Sequence, residues 1–403
     1  MATDIQPYTV AVPDDALAKL KSKLDALDLP QHVEFEDDDR YGVPAADVRR
    51  LAAYWRDGFD WRAQERRINQ LPQYLTPIEV DGFGTLNIHF VHQKSAHSGS
   101  IPLLFCHGWP GSFLEAEKLL PLLKESVNGV SFHVVAPSLP NFAFSDGTTK
   151  KGFGPHQYAE ALHKLMQKLG YSKYVTQGGD WGYMITRRLG AEYPESCVAS
   201  HINLAVRGPP QFKETPLTWL QHALTPWSAD EKKGLARTAW FRDEGFGYNQ
   251  LQSTKPATLG FAFADSPVAV LAWIYEKLRD WTDAYPWTDD EVLTWVSVYV
   301  FARAGPEASA RIYYENKHAK DSAAVTAAYN GRVPLGVSQF PRDIMLVPRL
   351  WYHGLGPVAF EKRHKDGGHF AAWERPKELA EDLRTMFGRN GGAYSVTKAL
   401  AKL

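Results

Sequence analysis

Six residues, Gln177-Gly178-Gly179-Asp180-Trp181-Gly182, constrain this chain more than any other stretch. They follow a short β-forming run, Tyr174-Val175-Thr176. They precede a helical pattern of Met184, Ile185 and Leu189 that ends at Tyr193-Pro194. A Gly-x-nucleophile-x-Gly turn between a strand and a helix lifts its middle side chain out at the end of a sheet. Glycines are needed because the turn is tight and its backbone passes close to neighbouring elements. The middle position is usually serine; here it is Asp180. An aspartate before a helix is also an ordinary N-cap. The flanking glycines and the strand in front favour a nucleophile.

The pattern around this turn predicts an α/β fold. Residues 1–74 read as a helical extension. Pro13 with Asp14 and Asp15 opens one helix, Leu17, Leu20, Leu24 and Leu27 recur along it, and Pro30 stops it. A second helix begins near Pro44, with Val48, Leu51, Ala52 and Trp55 on one face. These faces need a surface to pack on, either the main domain or a second copy of the chain, which makes the extension a candidate homodimer contact. Residues 75–206 read as the first part of the core. A hairpin turns at Asp81-Gly82, followed by strands at Pro102–Cys106 and Phe132–Ala136 and by a helix from Tyr158 to Gly170. Strand and helix alternate, as in a mostly parallel sheet. Residues 207–330 show helices and no convincing strand, and seven of the 13 tryptophans fall between Trp219 and Trp295. Such an insertion predicts a lid over the carboxyl edge of the sheet. Residues 331–403 return to the core, with strands at Val333–Val337 and Val358–Phe360 and a closing helix at Pro376–Phe387.

Composition narrows the partners. The formal net charge is -1 over 403 residues, which points to neither nucleic acid nor an anionic membrane. Cys106 and Cys197 are the only cysteines, too few for a disulfide framework or a zinc cluster. The first residues carry no basic, apolar leader, and no apolar run reaches ~18 residues. The expectation is a cytoplasmic protein with no metal and no cofactor.

A nucleophile at this turn needs a histidine, and the histidine needs an acid, in the order nucleophile, acid, histidine. His369, in Gly367-Gly368-His369-Phe370, lies between the last predicted strand and the last helix. For the acid, Asp343 leaves the end of the Val333–Val337 strand and is favoured over Glu361 and Asp366. The loop His107-Gly108-Trp109-Pro110 follows a buried strand and is either a plain turn or an oxyanion hole. As a hole it pairs the Trp109 N–H with the Trp181 N–H. The carboxylate selects the chemistry. Serine attacking a saturated carbon gives an ether that water does not cleave, whereas a carboxylate gives an ester that it does. The electrophile is then a carbon with a leaving group, two common choices being an epoxide and an alkyl halide. An epoxide opens to an alkoxide that needs a proton, and a phenol of pKa ≈ 10 suits that task. The lid offers tyrosines at Gly247-Tyr248-Asn249-Gln250 and at Ile312-Tyr313-Tyr314-Glu315, among 18 in the chain.

At these residues the chain resembles the microsomal-type epoxide hydrolases of α/β-hydrolase fold, in their soluble fungal and bacterial form. The resemblance spans nearly the whole chain and rests on His107-Gly108-Trp109-Pro110-Gly111-Ser112, Gly179-Asp180-Trp181-Gly182, Phe340-Pro341-Arg342-Asp343 and Gly367-Gly368-His369-Phe370-Ala371-Ala372. It implies that Tyr248 and Tyr313 open the ring, with Tyr314 as the fallback for the second. It further implies an epoxide and water as substrates, an Asp180 ester, and hydrolysis by water that His369, oriented by Asp343, activates. Microsomal members carry a membrane anchor that is not seen here. The competing readings are a haloalkane dehalogenase with the same nucleophile and a non-catalytic ligand-binding protein.

Overall fold

The computed structural model describes residues 4–400, Ala323 by its backbone only. Among these residues one nine-stranded sheet carries the molecule. Its strands are β1 (Gln6–Pro7), β2 (Gln73–Val80), β3 (Gly84–Gln93), β4 (Ile101–Cys106), β5 (Phe132–Pro137), β6 (Tyr174–Gly178), β7 (Cys197–Ile202), β8 (Leu335–Gln339) and β9 (Val358–Arg363). They lie in the order β1-β2-β3-β5-β4-β6-β7-β8-β9. The six strands from β5 to β9 are parallel, and β1, β2 and β3 join antiparallel at one edge.

Alternation sets the two faces of the sheet. Leu104 and Cys106 of β4 pack into one apolar cluster, and Leu103 and Phe105 into the other. A strand covered on both faces has no polar side to present, which is why β4 reads as an unbroken apolar run. Helices α4 (Leu120–Lys124), α5 (Pro155–Lys168) and α6 (Trp181–Glu192) connect the strands. Gly170 ends the α5 segment at a φ of +87°, a left-handed stop that glycine adopts without strain.

The N-terminal segment forms α1 (Asp14–Asp25), α2 (Ala45–Asp57) and α3 (Trp61–Ile68). The leucine repeat overshoots: α1 closes at Asp25, short of Leu27, and buries Leu20 and Leu24. In α2 the expected face, Val48, Leu51, Ala52 and Trp55, is the buried one. Each fully buried side chain of the size of Leu51 contributes about 1.5–3 kcal/mol. That face is covered within the chain. Tyr54 donates to Asp290 Oδ1 at 2.9 Å, and Tyr275 donates to Asp47 Oδ2 at 3.2 Å.

Both partner residues belong to the long helical insertion between β7 and β8. It comprises α7 (Pro216–Leu224), α8 (Ala229–Trp240), α9 (Gly247–Thr254), α10 (Pro256–Asp265), α11 (Pro267–Asp280), α12 (Asp289–Val300), α13 (Arg311–His318) and α14 (Ser322–Ala327). After β8 come α15 (Arg349–Tyr352), α16 (Ala371–Glu374) and α17 (Pro376–Phe387). Among the described residues no single helix is long and apolar enough to cross a membrane.

Candidate active site

The elbow leaves β6 beside the end of β4. Gly178 is in register with Cys106, so the loop after Cys106 and the turn after Gly178 emerge together. Glycine is required here by contact. A Cβ on Gly182 would lie 1.9 Å from the Cys106 carbonyl oxygen, and one on Gly178 would lie 2.5 Å from the Gly182 carbonyl oxygen. Between them Asp180 takes φ 52° and ψ -125°. A non-glycine residue in such a conformation costs of order 1–3 kcal/mol, so packing must hold it there. Its side chain makes no cap hydrogen bond to α6. The carboxylate is turned the other way, and Oδ1 accepts the Trp109 N–H at 2.8 Å.

Trp109 sits in the loop from His107 to Ser112, and its peptide bond to Pro110 is cis. Internal bonds shape the loop. His107 Nδ1 lies 2.9 Å from the Gly108 carbonyl, and its Nε2 accepts the Leu139 N–H at 3.2 Å. Burial pushes this imidazole down to about 4, so it stays neutral and structural. From α12 of the helical insertion, the Trp295 indole donates to the Pro110 carbonyl, and Tyr299 donates to the Gly111 carbonyl at 2.6 Å. The helical insertion therefore holds the loop in place. Trp181 is the first residue of α6, where backbone N–H groups have no intrahelical acceptor.

His369 is delivered from the opposite side of the sheet centre. The Asp343 loop follows β8, and Arg342 bridges to Gly368, tying the acid loop to the histidine loop. A Cβ on Gly368 would lie 2.4 Å from the Trp281 carbonyl oxygen, and that same oxygen accepts the His369 N–H at 2.7 Å. His369 Nδ1 lies 2.7 Å from Asp343 Oδ1, and Nε2 lies 3.5 Å from Asp180 Oδ2. Asp343 is fully buried, so its charge acts on the ring without water between them. Burial pushes the His369 imidazole down, but Asp343 and then Asp180 outweigh it and raise it to about 10. Both neighbours thus favour the charged form of the ring. The two weaker acid candidates lie elsewhere. Glu361 binds Arg349, Tyr352 and His353, and Asp366 pairs with Arg375 at 3.2 Å.

Asp180, Tyr248 and Tyr313 line one cavity of about 440 Å³, whose other walls include Leu204, Phe241, Phe246 and Met345. Tyr248 comes from α9 and Tyr313 from α13, with ring centroids 5.8 Å apart. Trp109 stacks on Tyr248 at 5.2 Å, and Trp181 meets the Tyr313 ring edge-on at 4.7 Å. Tyr314, the fallback, is 38% exposed and stacks on His318. Consecutive helical residues point about 100° apart, so only one of the pair can face the cavity. Burial holds both cavity phenols well above their usual range, and Asp180 raises them further. They stay protonated. Among the described residues the Tyr313 hydroxyl is buried without a hydrogen-bond partner.

Two further carboxyl groups close to the site carry no sequence pattern of their own. Glu115 shares a small recess with Asp180, His369, Gln177 and Asn203. Burial pushes its carboxyl up to about 8, so it is largely protonated at neutral pH. Glu374 accepts the Phe370 N–H at 3.1 Å and the Asp283 N–H at 2.9 Å, which braces the histidine loop. Neither glutamate sits in a motif of its own, and each reaches the site only through where the chain returns. No group of three or more His, Cys, Asp or Glu side chains among the described residues is arranged to hold a metal ion.

Comparison with known proteins identifies the family and the fold. Residues 5–116 match the family model described as epoxide hydrolase N terminus, and residues 101–376 match that of the alpha/beta hydrolase fold. Epoxide hydrolase 1 of Sus scrofa is 32% identical over 95% of this chain and 88% of its own length. The structure of the Aspergillus niger epoxide hydrolase superposes with a TM-score of 0.83 at 35% identity, covering 95% of each chain. That of the juvenile hormone epoxide hydrolase from the silkworm Bombyx mori superposes with a TM-score of 0.85 at 26% identity, covering 99% of this chain and 96% of that one.

Proposed function

The chain belongs to the epoxide hydrolase family, with the α/β-hydrolase fold, and from that premise we propose that it converts an apolar epoxide and water into a vicinal diol through an ester on Asp180. The observation that carries this reading is the cavity shared by one carboxylate and two protonated phenols. The substrate's oxygen is held by Tyr248 and Tyr313. An Asp180 oxygen attacks a ring carbon, the carbon–oxygen bond of the epoxide breaks, and the oxygen that leaves takes a phenolic proton. In-line attack needs the nucleophile and the phenols on opposite sides of the ring. The product is an alkyl ester of Asp180 with a free hydroxyl next to it.

Ester formation removes the negative charge of Asp180, so His369 loses one of the two groups that keep it protonated. It becomes a base. Oriented by Asp343, it takes a proton from water as that water attacks the ester carbonyl carbon. The Trp109 and Trp181 N–H groups face the charge that develops on the carbonyl oxygen. Collapse breaks the ester bond, the departing alkoxide takes the proton from His369, Asp180 is released as the acid and returns its proton to His369, and the diol leaves. The apolar cavity wall favours an apolar epoxide.

Single turnover in ¹⁸O-water, followed by mass spectrometry of the peptide containing Asp180, tests this sequence of steps. Label is expected in the Asp180 carboxylate. Label confined to the diol would falsify the ester. The tyrosine assignment has its own test. Tyr313→Phe is expected to slow ring opening roughly 10²-fold, a common magnitude for loss of a general acid, while the exposed Tyr314→Phe leaves it within about twofold. Equal losses in the two variants would remove Tyr313 from this role.

A further inference from the structure

Behind the Tyr248 ring stands a charge that the steps above do not use. Lys277, on α11, is 2% exposed. Lysine is almost never buried to this degree without a reason. Its ammonium binds Glu276 on the same helix. It also stands 4.7 Å from the centroid of the Trp273 ring and 5.2 Å from that of Tyr248. The Trp273 indole is itself fixed, donating to Gln252 Oε1 at 2.9 Å. Gln252 lies one turn after Tyr248 on α9. Lys277 and Trp273 together thus grip α9 at the turn that presents the phenol.

We propose that Lys277 is a positioning residue for ring opening: its ammonium fixes the Tyr248 ring and offsets the negative charge that the phenol acquires when it gives up its proton. The inference rests on the acid role of Tyr248. Charge moves during that step. Before attack it resides on Asp180; afterwards Asp180 is a neutral ester and the charge is on the phenol that lost its proton. A fixed cation beside Tyr248 therefore favours the transition state over the ground state, and only such differential interactions raise the rate. Cations attract aromatic faces most strongly when both are desolvated. The charged and titratable groups around the pair are Glu276 and Asp280 beside Lys277, and Asp180 and Tyr313 beside Tyr248. Burial pulls the ammonium below its usual range, and Glu276 and then Asp280 act in the opposite direction. The Glu276 carboxylate, bound directly to the ammonium, opposes the effect of burial.

The test is rapid-quench mass spectrometry of the intact protein with styrene oxide, which resolves ester formation from ester decay. Lys277→Met is expected to slow formation roughly 30-fold, the equivalent of about 2 kcal/mol for a desolvated cation over a ring, and to leave decay unchanged. Lys277→Arg, which keeps the charge, recovers part of the loss. Added to Tyr248→Phe, Lys277→Met costs little more, because its effect passes through the phenol. The inference is overturned if formation stays within threefold of wild type, if formation and decay slow equally, or if the two losses multiply. Should the Met variant not yield folded protein, Lys277→Gln is judged by the same criteria. Should Tyr248→Phe itself form ester at the wild-type rate, the acid role of Tyr248 falls, a result distinct from a failure of Lys277 alone.

Discussion

His369→Gln is expected to stop the protein after one turnover, with the epoxide bound to it as an ester. The variant keeps a polar side chain of similar reach but has nothing that accepts a proton from water. Loss of a positioned base costs roughly 10²–10⁴-fold in the step it serves, and that step is ester hydrolysis. Formation is affected less. Asp180 still attacks and the two phenols still supply the proton, although the carboxylate loses the imidazolium 3.5 Å from its Oδ2. The slow step thus moves from wherever it lies in the native protein to decay of the ester. Intact-mass measurement under excess epoxide should show nearly all the protein heavier by the mass of one epoxide. Unmodified protein under those conditions, or sustained turnover within tenfold of wild type, is the outcome that rejects the role of His369. Asp343→Asn should show the same signature in weaker form, because it leaves the imidazole present but without the buried charge that orients it at 2.7 Å.

The parts of this site that could be read from the chain share a property: local covalent geometry demands them. Gly178 and Gly182 are dictated by approaches that a Cβ cannot survive, so the elbow announces itself. The Asp343 loop follows a strand end, and the histidine loop is tied to it by the Arg342 bridge to Gly368, so chain order was informative. Where the answer depended on helix rotation, pattern alone was silent. Tyr313 and Tyr314 are adjacent, and only the packing of α13 on α9 turns Tyr313 toward Tyr248. Lys277 and Glu115 have no local signal, because each is defined by residues far away in the chain. The fold shows the same division. Strand β7 contains Ser200 and His201, which reads poorly as a buried strand, yet Ser200 accepts from Thr176 at 3.0 Å and His201 meets Ser338 at 3.0 Å. Helix α3 has the composition Trp-Arg-Ala-Gln-Glu-Arg-Arg-Ile, with little apolar periodicity. What holds it is the Asp60 side chain capping Ala63 N–H at 3.0 Å, together with the burial of Trp61 and Ile68 at its two ends. The two-residue β1 is an edge pairing with β2, set by the partner strand and not by its own residues.

Asp180→Ser is expected to abolish diol formation, by on the order of 10⁵-fold or more, the scale on which loss of a covalent nucleophile acts. The variant restores the residue most often found at such an elbow, and it leaves the Trp109 N–H, His369 and Asp343 untouched. That is what makes it informative. If the epoxide were opened by water directly, with His369 as base and the phenols as acids, the serine variant would keep every group that this route requires, and activity would fall only modestly. If Asp180 is the nucleophile, the variant has two courses open to it. Either the hydroxyl does not attack, and the epoxide is recovered, or it attacks once and forms an ether. An ether has no carbonyl carbon for water to add to, so the protein stays modified and no diol appears. Diol yield and intact mass measured together separate these cases. Turnover above about one per cent of wild type, with no added mass, would mean that water and not Asp180 meets the ring carbon.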